Sequence, residues 1–210
     1  MLSLLKQKIQ PLQIANVLRE KEIQLFTSHE FKQLLKTSPR QTRYFIETYT
    51  KKGFLVRLKK DLYALKTNLP NEEIIANAIY KPSYISLEYA LSHYGIIPES
   101  VYSITSVTTK ATANFIVTGR DFLYRKIKRK AFVGYIPKKV GEKTILIAEP
   151  EKALTDYLYF VSLGRKTLND RIDCTRLDKK KIIAYSKLYQ RKTMDNIIEQ
   201  IFKNYPVEIK

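Results

Sequence analysis

Tryptophan is absent from the 210-residue sequence, which holds only one cysteine, two histidines, two methionines and six glycines. A lone cysteine, Cys174, cannot close an internal disulfide, so a disulfide-stapled secreted domain is excluded and a reducing cytoplasm is expected. His29 and His93 lie far apart with no ligand spacing between them, and neither a metal nor another cofactor is expected. No window approaches the roughly 18 uninterrupted apolar residues of a membrane span. The opening MLSLLKQKIQ is broken by Lys6 and Lys8 and lacks a small-residue cleavage site, so a signal peptide is not expected. No Gly-Lys-Ser/Thr phosphate loop occurs, nor a Gly-Ser followed by an Asp-x-Asp/Glu pair. A recognisable kinase, NTPase or nucleotidyltransferase is therefore not expected.

Acidic residues are the other scarcity. There are 20 Asp and Glu against 38 Lys and Arg, a formal net charge of +18. Such an excess opposes compaction by self-repulsion and points to a polyanionic partner. The excess is uneven. Residues 1–70 hold 14 basic and 5 acidic side chains, residues 71–160 hold 12 and 9, and residues 161–210 hold 12 and 6. Hydrophobic residues make up 44% of the chain, enough for a proper core.

The first seventy residues carry the most local signals. Leu12, Ile14, Val17 and Leu18 suggest a helix over about 11–22. Thr27 and Glu30 have capping-box spacing, and Phe31, Leu34 and Leu35 give the apolar face of a second helix. Ser38 suits the N-cap of a third helix, Pro39 its first position and Gln41 the third residue of another capping box. Phe45, Ile46 and Tyr49 form its buried stripe, and Gly53 ends it. FLVRLKKDLYAL then alternates about Lys59-Lys60-Asp61, a hairpin pattern. Two helices across a short turn, followed by a basic hairpin, read as a winged helix-turn-helix over residues 1–70. The exposed start of the third helix would present Arg40, Gln41, Thr42 and Arg43 to base edges and phosphates, and Arg57, Lys59 and Lys60 would meet phosphate or the minor groove.

Residues 71–210 read as a mixed α+β domain with a helical C-terminal end. Asn71 is expected to cap a helix through Tyr80 and Ser86 another through Tyr94, with Gly95 as its stop, and a third is expected to open at Pro150 and close at Gly164. VYSITSVTT and TILIA read as strands, and NFIVTGRDFLYRKI as a hairpin. Residues 164–177 are polar and read as a linker or irregular connection. Ile182, Tyr185 and Tyr189 mark one further helix. Met194, Ile197, Ile198, Ile201, Phe202 and Tyr205 mark the last. Most of the 15 tyrosines follow helix or strand periodicity and are expected in the core.

FTSHEFKQLL…GFLVRLKKDLYAL, YISLEYALSHYGIIPESVYSITSVTT, FLYRKIKRKAFVGY and IAEPEKALTDYLYF together resemble the AbiEi family of antitoxins, over about Phe26–Phe160. The order of the middle block and of the Pro150–Leu154 block with Asp156 carries the resemblance more than the winged helix does. It implies a non-enzymatic antitoxin and transcriptional autorepressor of a type IV toxin–antitoxin, abortive-infection operon used in phage defence. Duplex DNA, as an inverted repeat in its own promoter, would be bound through the winged helix, with two protomers on one repeat. The functional partner implied is a nucleotidyltransferase toxin. The sequence departs from the family at Asp61, where glycine is usual, and at Ala111–Asn114, where members tend to be arginine-rich. A basic antitoxin surface would then be supplied by Arg125, Lys126, Lys128, Arg129 and Lys130. Two other readings stay open: a nuclease-like enzyme using Glu149, Glu151 and Asp156, and a winged-helix module that binds an acidic protein.

Overall fold

The computed structural model describes residues 10–204, of α+β class. Nearly all of the opening segment MLSLLKQKIQ, and Tyr205 at the expected end of the last helix, lie outside the described residues. The chain divides into two compact units, Met1–Asn71 and Glu72–Lys210. Among the described residues no helix is long and apolar enough to cross a membrane.

The first unit contains α1 (Pro11–Glu20), α2 (Ser28–Leu35) and α3 (Pro39–Lys51), then the antiparallel strands β1 (Leu55–Lys59) and β2 (Leu62–Leu65). Both capping boxes form: Thr27 and Glu30 start α2, and Ser38 and Gln41 start α3. Each satisfies backbone N–H groups that a helix start leaves without partners. Ile14 and Leu18 of α1, Phe31 of α2, Phe45 and Ile46 of α3, and Leu55 and Leu65 of the hairpin share one core with Phe26. Its aromatic rings touch in series, Phe26 to Phe31 at 5.4 Å, Phe31 to Phe45 at 5.2 Å and Phe45 to Tyr49 at 4.1 Å between centroids. Leu12, expected on the apolar face of α1, is instead 71% exposed, because the buried stripe is Ile14, Ala15 and Leu18. Phe26 exchanges backbone hydrogen bonds with Tyr63 at 3.0 and 2.9 Å, so the segment before α2 pairs with β2.

The second unit is built on a six-stranded mixed sheet, ordered β5-β6-β4-β3-β8-β7. Its strands are β3 (Ser83–Ile85), β4 (Ile104–Thr108), β5 (Ala113–Val117), β6 (Arg120–Lys126), β7 (Tyr135–Val140) and β8 (Lys143–Ala148). The helices are α4 (Glu72–Ile79), α5 (Leu87–His93), α6 (Pro150–Ser162), α7 (Lys179–Tyr189) and α8 (Lys192–Asn204). α4 covers one face, where the Tyr124 hydroxyl of β6 donates to the Ala76 carbonyl at 2.6 Å. α6 covers the other, where Tyr84 of β3 reaches Asp156. Asn77 of α4 donates to the Leu146 carbonyl at 3.3 Å and accepts its N–H at 2.7 Å. Its side-chain amide thus extends the pairing of β8 where the short β3 runs out.

Of the two readings of residues 164–177, the irregular connection holds and the linker does not. Ile172, Cys174 and Leu177 are buried, and the Asp173 N–H donates to the Ile96 carbonyl at 2.8 Å. Ser86 occupies the N-cap position of α5, yet its side chain makes no cap bond. Thr105 of β4 caps the helix instead, accepting the Tyr89 N–H at 3.1 Å and donating to the Ser86 carbonyl at 2.7 Å. The Ser86 hydroxyl is thereby released for another partner.

Candidate nucleic-acid interface and a buried charged cluster

The first unit carries a cleft of about 700 Å³ between α2, α3 and the hairpin. His29, Lys32, Arg43, Arg57 and Lys60 supply its basic lining, and Glu47 and Asp61 its acidic lining. The geometry follows from the phase of α3. Thr42, Phe45 and Ile46 face the core, so Arg40, Arg43, Tyr44 and Glu47 face out.

The expected interface residues divide in the structure. Arg40 and Arg43 are exposed and three apart, on one helical face. Gln41 is exposed as well, but its Oε1 accepts the Ser38 N–H at 2.9 Å, leaving only the amide nitrogen to donate elsewhere. Thr42 is a correction: it is 4% exposed, and its hydroxyl pairs with that of Thr37 at 2.7 Å. It packs into the core and lines the cleft with little exposed surface. Arg57 is exposed on the hairpin and folds back to donate to the Lys59 carbonyl at 3.3 Å. Lys60 is exposed at the hairpin turn, and Lys59 is half-buried.

The turn is held by Asp61, whose backbone adopts φ +59°. Its Oδ1 accepts the Ser28 N–H at 3.0 Å and also the Ser28 hydroxyl. These bonds, the hydroxyl first, hold the Asp61 carboxyl below its usual range. Tyr44, not among the expected site residues, is 69% exposed beside Arg40 and Arg43. Its aromatic type suggested core, but its place on α3 lies outside the stripe of Phe45, Ile46 and Tyr49.

The second unit contains an ionic cluster with no exposed member. Lys152 and Asp156 are one turn apart on α6, and both are 0% exposed. Asp156 Oδ2 accepts the Ser86 hydroxyl at 2.7 Å and the Tyr84 hydroxyl at 3.0 Å. Its Oδ1 accepts the Lys152 ammonium and the Tyr189 hydroxyl. Lys152 also lies 5.1 Å from the Tyr189 ring centroid and 5.7 Å from that of Tyr84. Burial lowers the Lys152 pKa, and the Asp156 carboxylate opposes that shift. Burial first, and then the Asp156 charge, push Tyr84 and Tyr189 well above ordinary phenol values. The arrangement joins β3, α6 and α7 around one satisfied charge pair.

The three carboxylates considered for nuclease chemistry are therefore not gathered at a surface. Asp156 is enclosed, Glu149 accepts the Tyr185 hydroxyl at 2.9 Å, and Glu151 accepts the Asp178 N–H at 3.3 Å. The candidate basic surface is partly engaged. The Arg125 guanidinium donates to Asn114 at 2.7 Å and the Lys128 ammonium to the Tyr189 carbonyl at 2.5 Å. Lys126, Arg129 and Lys130 are exposed. The turn of 3-10 helix at Arg129–Ala131 packs against α7, whose Lys179, Lys180, Lys181 and Lys187 are also exposed. No family model matches the sequence, and no curated protein matches it.

Proposed function

We propose that the chain is a duplex-DNA-binding protein whose first unit acts as a winged helix, with α3 as the reading helix and the β1–β2 hairpin as the wing. The observation that carries this reading is the common placement of Arg43 from α3 and Arg57 and Lys60 from the hairpin on one cleft, with Arg40 exposed on the same helical face. Arg at the start of such a helix can take guanine O6 and N7 with two parallel bonds, while hairpin cations meet phosphate. Tyr44 adds an exposed ring for a thymine methyl and a hydroxyl that can donate to a phosphate. The charge of the chain, +18, favours the same class of partner. In keeping with the family its sequence resembles, its biological role is that of an autorepressor and antitoxin acting against a nucleotidyltransferase toxin. Two protomers occupy one inverted repeat, because a single small reading helix covers too few base pairs for genomic specificity. Lys126, Arg129 and Lys130 belong to the surface of the second unit that serves toxin neutralisation.

Binding of the full chain to promoter and scrambled duplexes at several salt concentrations tests the reading. Affinity should fall steeply with salt, by about 0.9 log units per log salt for each phosphate neutralised. Arg43→Ala should cost about 1–3 kcal/mol on the promoter and relax preference at one base pair. Lys60→Ala should weaken all duplexes alike and reduce the salt slope by about one phosphate. A salt-independent response, or an Arg43→Ala protein that binds the promoter as well as the parent, would reject it.

A further inference from the structure

Glu47 is the sole acidic residue of α3, and it stands one turn after Arg43 on the outward face. It lines the same cleft as Arg43, Arg57 and Lys60. Among the described residues its carboxylate enters no ion pair. Internal neutralisation of the neighbouring cations therefore does not account for it. A carboxylate carried toward a duplex repels phosphate whatever the sequence, so it lowers affinity for every site at which it finds no donor.

The major groove offers such donors on two bases. Cytosine presents its N4 amino group, while adenine presents N6 beside the N7 acceptor. Guanine and thymine present only acceptors at the corresponding edge, which a carboxylate repels. Cytosine therefore suits a carboxylate best, and the other bases are rejected by the same negative charge. Arg43 offers the opposite chemistry, a donor fork matched to guanine. Side chains four apart on a helix lie about 6 Å from each other. That is on the scale of one to two base-pair steps of roughly 3.4 Å.

We infer that Glu47 is a specificity-determining residue that selects cytosine within the bound sequence by accepting its N4 amino group, one or two steps from a guanine read by Arg43. The inference rests on the DNA-binding reading above. It assigns Glu47 a cost in general affinity and a gain in discrimination, two effects of opposite sign that one substitution separates.

The test is selection from a duplex library with a random core, using the full chain and its Glu47→Ala and Glu47→Gln variants. Anisotropy titrations on the selected and on scrambled duplexes follow, with a melting curve for each protein. The parent should select a cytosine at one position. Glu47→Ala should lose that preference, and Glu47→Gln should move it toward adenine, whose N6 and N7 suit a carboxamide. Discrimination at that position should fall by roughly 5- to 150-fold in Glu47→Ala. Both variants should bind scrambled duplex more tightly than the parent, most of all at low salt. An unchanged base preference with tighter scrambled binding would reduce Glu47 to a phosphate repellent and overturn the inference. So would weaker binding of all duplexes by variants that melt like the parent. A parent that retains no duplex at any salt fails earlier, before any variant is made, and overturns the DNA-binding reading itself.

Discussion

The carboxylate of Asp61, at the tip of the hairpin, accepts both the backbone N–H and the hydroxyl of Ser28, the first residue of α2. The contact fixes the hairpin against α2, the helix before α3, across 33 residues of sequence. It also accounts for Asp rather than Gly at a position with φ +59°. Asp tolerates the left-handed region, and it supplies an acceptor that Gly lacks.

Asp61→Gly should remove the clamp while keeping the turn, and Asp61→Ala should remove the clamp and strain the turn as well. The expected costs are about 1 kcal/mol for Gly and about 2 kcal/mol for Ala. Hydrogen exchange of residues 55–65 in the full chain reads the difference, and equal protection in both variants and the parent contradicts it. Acid should act in the same direction. Because the folded pKa of Asp61 is lowered below 3.8, its contribution is present above that pH and is lost as pH falls through the folded value.

Thr42 offers a test of the correction made on α3. Thr42→Val keeps the shape but leaves the buried Thr37 hydroxyl without its partner, at a cost of about 1–2 kcal/mol. Thr37→Val together with Thr42→Val should restore most of that loss, since replacing both partners with apolar groups is nearly neutral. Denaturant midpoints of the parent and the two variants decide it. Stability of the double variant well below that of Thr42→Val would contradict the pairing of the two hydroxyls.

The legible parts of the sequence were those whose signals are local. Thr27 with Glu30 and Ser38 with Gln41 could be read because a capping box closes within three residues. The burial of Thr42 follows from helical phase rather than from its polarity. Extending the stripe of Phe45, Ile46 and Tyr49 back one turn passes through residue 42. The cluster of Lys152 and Asp156 was legible only as a motif, since its other members come from Tyr84, Ser86 and Tyr189, far away in sequence. Thr105 capping α5 from a neighbouring strand has no sequence signature at all. β7 escaped notice because Pro137, Lys138 and Lys139 disguise an edge strand, as proline and lysine on sheet edges commonly do.

Cys174 should resist thiol reagents and sense alkali. It is fully buried, and burial followed by the Asp173 charge pushes its thiol up to about 12. A pKa raised on folding contributes stability in full below the unfolded value of about 8.5, and that contribution is lost as pH rises toward the folded value. Stability of the second unit should therefore fall between about pH 9 and 12, by at most about 1.4 kcal/mol per pH unit from this group. Denaturation of the parent and of Cys174→Ala at several alkaline pH values checks it. A parallel decline in both proteins would assign the effect to the buried tyrosines alone. Rapid labelling of the native thiol at pH 8 would contradict the burial.

The Lys152–Asp156 pair predicts a strongly asymmetric set of variants. Its two charges are removed from water, and that loss is offset only while each has the other and the surrounding hydroxyls. Asp156→Ala strips four acceptor bonds at once and leaves an ammonium enclosed by the rings of Tyr84 and Tyr189. Lys152 would then have to lose its proton or draw in water, and the expected cost is about 3–5 kcal/mol. Lys152→Met keeps the length of the side chain but leaves Asp156 charged, now supported by the hydroxyls of Tyr84, Ser86 and Tyr189. Three remaining donors soften that loss, so Lys152→Met should be the milder single change. Combining Lys152→Met with Asp156→Ala removes both charges and should cost less than the sum of the two single changes, leaving the protein still short of the parent because three hydroxyls lose their acceptor. Thermal and denaturant melting of the full chain ranks the variants. Additive losses in the double variant would mean that the two charges do not stabilise one another. An Asp156→Ala protein as stable as the parent would mean that the cluster does not join β3, α6 and α7.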